Sequence, residues 1–212
     1  MINYIELNRK VYDEAAREFL EKSFSRQKNS EKIAYEIVQF LNVSASSGKI
    51  LDIGPGNGND SRFFCERGYN VTAIEFSSAM ATVAQMNAPK AHIIEDDFLQ
   101  HDFWGETFDG ILAIAFIHLF NEQDTLKVLQ KIRTLLNPEG VAYISTTQHE
   151  FSSIGFDKKH NFKSSSLRLR RRFTLDELRS LLQKTEFVIL KEGQDSDNEE
   201  KDKIWMHFIV SR

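Results

Sequence analysis

One cysteine, no long apolar run and no excess of positive charge are the first features of this sequence, and each shortage removes a class of protein. Cys65 has no second cysteine to pair with, so an internal disulfide is excluded. No Cys/His cluster has zinc spacing and no compact carboxylate–histidine cluster suggests another metal, which fits a reducing cytoplasm. The longest apolar stretch, Ile111 to Phe120, is interrupted by His118 and is too short to span a bilayer. The opening Met1-Ile2-Asn3-Tyr4-Ile5-Glu6 lacks the basic and apolar segments of a signal peptide. A formal net charge of −4 argues against an electrostatic nucleic-acid binder. Neither internal repeats nor low-complexity tracts are visible. With 212 residues, 41% of them hydrophobic, the chain is long enough to bury the core of one cytoplasmic domain over 1–212.

What is present is an alternation of elements. The first forty residues read as helix, with Ile33, Ile37, Phe40 and Leu41 at helical spacing and Ser30 as a cap, so that 1–43 forms an N-terminal helical cap. After Ser44–Gly48 come a strand at Lys49–Ile53, a glycine loop, a helix from Asn59 to Arg67 and a strand at Asn70–Glu75. A helix from Ser77 to Asn87 follows, then strands His92–Glu95 and Phe108–Ala115, helix Glu122–Leu136 and strand Gly140–Thr147. Strands alternating with helices imply parallel βαβ units: an α/β, doubly wound sheet with helices on both faces. Residues 148–172 read as an irregular, basic insertion on the substrate side. Thr174 and Glu177 then form a capping box for a helix to Lys184. Strands Phe187–Lys191 and Ile204–Val210, joined by the acidic loop Asp195 to Asp202, should make one edge of the sheet antiparallel.

The sharpest motif is Asp52-Ile53-Gly54-Pro55-Gly56-Asn57-Gly58, between the first strand and its helix. Gly54, Gly56 and Gly58 allow a tight turn and a close ligand, and the helix start beyond offers free amides. In the dinucleotide fingerprint the third small residue would fall at Asn59, and here Gly58 comes one place early. The carboxylate of Asp52 would repel a pyrophosphate by roughly 1–4 kcal/mol at a few ångströms. It would attract an ammonium group instead, so the loop favours a nucleoside without phosphates and with positive charge. Glu75, ending the second strand, suits the ribose hydroxyls. Asp97 and Phe98, ending the third, could accept from an exocyclic amine and pack on a purine.

Together with Val71-Thr72-Ala73-Ile74-Glu75-Phe76-Ser77, Asp96-Asp97-Phe98-Leu99, Phe108–Ala115 and Leu136-Asn137-Pro138-Glu139-Gly140, this motif resembles the class I S-adenosylmethionine-dependent methyltransferases over roughly residues 10–147. The resemblance implies a seven-stranded sheet with its last strand antiparallel. It implies S-adenosylmethionine as cofactor and S-adenosylhomocysteine as product. Asp52 and Gly54 would then hold the methionine end and Glu75 the ribose. Phe76 and Met80 would flank the adenine, with Asp97 and Phe98 at its edge, and Ala113 or Ile114 would offer a carbonyl to the ammonium. Asp96 stands where such proteins usually have glycine. Family members resemble this chain in having a His at the position of His118, and Tyr4 and Tyr12 fall in a segment that often folds over the cofactor.

His118 has the chemistry of a base near neutral pH, and His149, after the fifth strand, could reach the same cleft. Arg168, Arg170 and Arg172, with Arg171 between, read as a solvated face or, by their place in the insertion, as the part of a pocket that takes an anionic acceptor. The expected activity is methyl transfer to an O, N or S atom of a small molecule. Methylation of RNA or protein is the alternative, weakened by the acidic balance, the missing N/D-P-P-Y/F motif and the missing Pro-Cys pair. A non-catalytic cofactor-binding module is a third reading. Membrane partners are not expected, nucleic acid is disfavoured, and the oligomeric state stays open.

Overall fold

Strands of this chain bury both faces, and the residues that alternate along them divide the core in two. A computed structural model describes residues 3–21, 27–42, 44–158, 166–197 and 203–212. The main sheet contains β1 (Lys49–Ile53), β2 (Asn70–Glu75), β3 (His92–Glu95), β4 (Phe108–Ile114), β5 (Leu136–Thr147), β8 (Val188–Ser196) and β9 (Ile204–Ser211) in the order β3-β2-β1-β4-β5-β9-β8. On one face Ile50, Leu112, Val141, Tyr143 and Ile209 pack with Ile37, Phe63 and Phe64. These last three belong to α2 (Gln27–Val38) and α3 (Asn59–Glu66). On the other, Leu51, Ile53, Ile111, Ala113, Ile144 and Phe208 pack with α5 (Glu122–Leu135) and α6 (Leu175–Lys184). Burial on both faces is why these strands read as apolar runs rather than as alternating ones.

The doubly wound, mostly parallel architecture agrees with the sequence reading. Its antiparallel strand sits one place further in than expected. α6 is a crossover, so it returns the chain to β8 parallel to β1–β5 at the edge. A hairpin then runs β9 back through the gap, antiparallel to both β5 and β8.

Three other expectations need correction. Within 148–172 the described residues are not irregular: β6 (Ser153–Lys158) and β7 (Leu167–Arg172) pair as antiparallel strands outside the main sheet. The Leu-Arg-Leu-Arg pattern has the two-residue period of a strand, which the charge run obscured. Lys159 and Lys163 lie outside the described residues, as does the stretch 198–202 of the acidic loop; Asp195 and Ser196 belong to β8. The N-terminal segment is not one cap. α1 (Tyr4–Glu21) packs on α4 (Ser78–Asn87) and β7, whereas α2 lies on the sheet face with Ala34 and Ile37 fully buried. α2 begins before Ser30, whose side chain is outside the described residues. No helix among the described residues is long and apolar enough to cross a membrane.

Strand order reverses between β1 and β4, with helices leaving their carboxyl ends toward opposite faces. That divergence opens a crevice, the usual ligand position in such sheets.

Candidate active site

The crevice is shaped by two tight exits. After β1 the chain turns through Gly54 at φ +67°, whose amide donates to the Ile74 carbonyl at 2.9 Å. A Cβ at Gly54 would stand 3.1 Å from the Phe116 ring, so glycine lets the two exits touch. After β4 the chain turns through Ala115 at φ +53°, a left-handed conformation that strains a residue with a Cβ. Gly56 lies at the turn's tip beneath Phe19 of α1. Gly58, at φ +77°, is explained without any ligand. It stands at the start of α3, and a Cβ there would come within 2.9 Å of the Ala84 carbonyl of α4. Glycine is needed at that position for helix packing.

Three carboxylates converge below this turn. Asp52 is 2% exposed on the α3 face of β1 and accepts hydrogen bonds from the Ser61 hydroxyl at 2.6 Å and from the Ser61 amide. Burial first, then the charges of Asp60 and Glu75, push its carboxyl up to about 7. Glu75 is buried at the end of β2, and its Oε1 accepts from the Ser77 amide at 2.9 Å. Ser77 caps α4, accepting from the Met80 amide, and donates its hydroxyl to Asp13 of α1 at 2.5 Å. Negative charge packed this tightly favours a cation and opposes a phosphate, the donor chemistry that suits a positively charged nucleoside.

The aromatic candidates separate. Phe76 is half-buried, with Tyr12 edge-on at 6.1 Å between ring centres. Tyr12 also meets Phe19, its hydroxyl accepts from Arg168 at 2.8 Å, and it feels the charge of Glu75. Met80 is fully buried with Ala15, Ala16, Phe19 and Val83 in the α1–α4 core. Phe98 is buried edge-on against Phe103 and Phe116. Asp97 is half-buried, and its Oδ1 accepts from the Leu99 amide at 2.8 Å, closing the turn after β3. Ala113 and Ile114 lie at the end of β4, paired with Ile144 and Ser145 of β5.

The hairpin covers the other side. Cross-strand partners share a face, so Arg168, Arg170 and Arg172 lie with Ser153, Gly155 and Asp157, while Leu169 and Arg171 face the opposite way. Arg170 donates to the Thr147 hydroxyl at 3.2 Å, which also meets His149 Nε2 at 3.0 Å. Burial, then the charges of Arg170 and Arg172, hold the His149 imidazole below its usual value, which favours its neutral form. His118 lies in a single 3-10 turn, Ile117–Leu119, buried against β7.

Sequence reasoning overlooked four residues that tie these parts together. Asn8 of α1 is buried, donating to the Leu119 carbonyl at 2.9 Å and accepting from the Leu169 amide at 2.8 Å. Asp13 joins α1 to the residues after Glu75, and Phe116 closes on Gly54. Ser61, one turn into α3, holds Asp52; its place nine residues on was the only signal available beforehand. Among the described residues, no three His, Cys, Asp or Glu side chains are placed to hold a metal ion.

Comparison with known proteins gives this geometry a context. Residues 50–140 match a family model described as a methyltransferase domain. An uncharacterized methyltransferase of Oceanobacillus iheyensis is 26% identical over 150 residues, covering 68% of this chain and 70% of that protein. A glycine/sarcosine N-methyltransferase of Halorhodospira halochloris is 33% identical over 125 residues, 54% of this chain; the chain spans only 46% of its length. Among solved structures, the 1,6-didemethyltoxoflavin-N1-methyltransferase of Burkholderia thailandensis, with 1,6-didemethyltoxoflavin and S-adenosylhomocysteine bound, superposes with a TM-score of 0.72 at 20% identity. That match covers 99% of this chain and 89% of the other.

Proposed function

We propose, from the match of residues 50–140 to a methyltransferase-domain family and from the fold shared with S-adenosylmethionine-dependent enzymes, that the chain methylates an O, N or S atom of a small molecule. S-adenosylmethionine supplies a sulfonium methyl group with a good leaving group already attached. The protein's task is therefore alignment and exclusion of water rather than activation. The observation that carries the reading is the buried pair Asp52 and Glu75 beside the Gly54 turn, negative charge that selects a cationic nucleoside.

In this reading Asp52 and the Gly54–Gly56 turn hold the methionine end and Glu75 holds the ribose. Phe76 borders the adenine under Tyr12, and Asp97 reaches its edge. Met80, Phe98 and Gly58 act from behind by fixing α4 and the turns. The carbonyls of Ala113 and Ile114 end β4 on the methionine side. The acceptor enters under the hairpin, where Arg168 and Arg170 suit an anion, Arg172 is paired with Asp157, and His149, kept neutral, can take a proton if the acceptor atom must lose one. His118 packs beneath that surface as a positioning group. The whole of 1–212 works as one cytoplasmic domain, with α1 and the hairpin as additions to the sheet.

Calorimetric titration with S-adenosylmethionine, S-adenosylhomocysteine and NAD tests this. Both adenosyl ligands should bind and NAD should not, and Asp52→Ala should weaken binding at least about tenfold, the loss of one hydrogen bond to charge. With methyl-labelled cofactor and a cell extract, label should enter the small-molecule fraction. Label in RNA or protein would overturn the acceptor class; NAD binding alone would overturn the whole reading.

A further inference from the structure

The four arginines of β7 are not equivalent. Arg171 is paired with Glu177 at 2.5 Å and donates to Thr125 at 3.1 Å, on the face shared with Leu169. Arg172 is paired with Asp157 at 2.6 Å. Arg168 and Arg170 differ from both, because their hydrogen bonds go to neutral hydroxyls, Tyr12 for the first and Thr147 for the second. Among the described residues neither has a carboxylate oxygen within ion-pair distance, and both bury their Nε without a hydrogen-bond partner. Arg168 is 4% exposed.

A guanidinium taken out of water without a counter-charge is unfavourable, and its planar fork is shaped for an oxyanion. Arg168 and Arg170 stand two residues apart on one strand, hence side by side on one face. Opposite Arg170 the register places Gly155, and nothing lies within 4 Å of where its Cβ would be, so the space on this face beside Gly155 is open. Asp157 is the one carboxylate among the cross-strand partners on this face, and it is bonded to Arg172.

We propose that Arg168 and Arg170 form a clamp for an oxyanion group, carboxylate or phosphate, carried by the methyl acceptor. The assignment to an acceptor rests on the methyltransferase reading. The clamp itself rests on two guanidiniums that, among the described residues, have no carboxylate at ion-pair distance, and excludes Arg172, which Asp157 pairs directly. Tyr12 positions it: the hydroxyl that fixes Arg168 belongs to the ring that lies against Phe76. An anion held there sits across Tyr12 from Glu75, with His149 adjacent through Thr147.

The test uses the full chain saturated with S-adenosylhomocysteine and titrated with benzoate, phenyl phosphate or, as the uncharged control, benzamide. One or both anions should bind and benzamide should not, and the stronger anion identifies the group. Arg170→Met should weaken that binding about 10- to 100-fold, the loss of a charge-assisted contact, with S-adenosylhomocysteine affinity unchanged. Asp157→Asn should instead tighten it several-fold by removing the competing charge, a gain that a purely structural arginine cluster does not give. Equal binding of benzamide, no anion binding to the wild type, or indifference to both substitutions overturns the clamp while leaving the cofactor reading intact. Failure of S-adenosylhomocysteine itself to bind overturns the methyltransferase reading, and the acceptor role falls with it.

Discussion

Two regions of this protein bury charge, with opposite sign. Under the glycine turn, Asp52, Asp60 and Glu75 crowd negative charge together, with Asp52 held by the hydroxyl and amide of Ser61. On the hairpin, buried Arg168 and half-buried Arg170 set positive charge against the hydroxyls of Tyr12 and Thr147. α1 links the two. Asp13 fixes it to the start of α4, Asn8 to β7 and to the turn after β4, and Tyr12 stands between. Under the proposed reading, the difference shows how one cleft could receive a cationic donor and an anionic acceptor side by side: Asp52, Arg168 and Arg170 hydrogen-bond to neutral groups, so that a ligand would supply the counter-charge.

The comparison can be broken from either side. The largest effect is expected at Gly58→Ala, where a left-handed backbone and contact with the Ala84 carbonyl combine to destabilise the fold by roughly 2–4 kcal/mol in urea unfolding. Because Gly58 serves packing, S-adenosylhomocysteine affinity per folded molecule should stay nearly constant. A large loss of affinity without a loss of stability would return Gly58 to the ligand. Asn8→Ala should cost about 2 kcal/mol, leaving a buried amide and a buried carbonyl unsatisfied. Protease sensitivity should then appear first between α1 and the hairpin; uniform sensitivity would mean that α1 is not the tie.

Acidity offers the third handle. The Asp52 carboxyl is raised from 3.8 to about 7, so the folded chain keeps a proton that the unfolded chain has lost. Its contribution to stability therefore falls as pH rises from about 4 to about 7, and Asp52→Asn should flatten that fall. An ammonium group bound beside Asp52, which both adenosyl ligands carry, favours the ionised form. S-adenosylhomocysteine affinity should thus climb by up to about tenfold per pH unit below neutrality and level off above it. A flat profile in the wild type would remove Asp52 from contact with the ligand's charge. The smallest effect is expected at Tyr12→Phe, which removes one hydroxyl from Arg168. It should cost about 1 kcal/mol in anion binding and little in cofactor binding; equal losses in both would show that Tyr12 acts through packing alone.

The glycine turn and the carboxylates beside it were legible beforehand because their demands are local. Asp52, Gly54 and Glu75 stand at strand ends that the apolar periodicity already placed, and the turn needs glycine wherever it occurs. Met80 and Phe98 were harder, since an apolar residue near a helix or strand end looks the same whether it faces a ligand or the core. The hairpin was misread because four arginines in five positions, Arg168 to Arg172, resemble a solvated surface. Their burial depends on α1, on the 3-10 turn and on Thr147, all distant in sequence.

By itself the sequence determined the order of strands and helices outside the hairpin and the sign of charge at the glycine turn, since these follow from periodicity, backbone sterics and composition. Only the tertiary structure decided that the antiparallel strand lies inside the edge, that a Cβ at Gly58 would meet α4, and that Arg168 and Arg170 bond to neutral hydroxyls while Arg171 and Arg172 pair with carboxylates. Those outcomes depend on which distant side chains meet, and pairing across the fold is not written in local spacing.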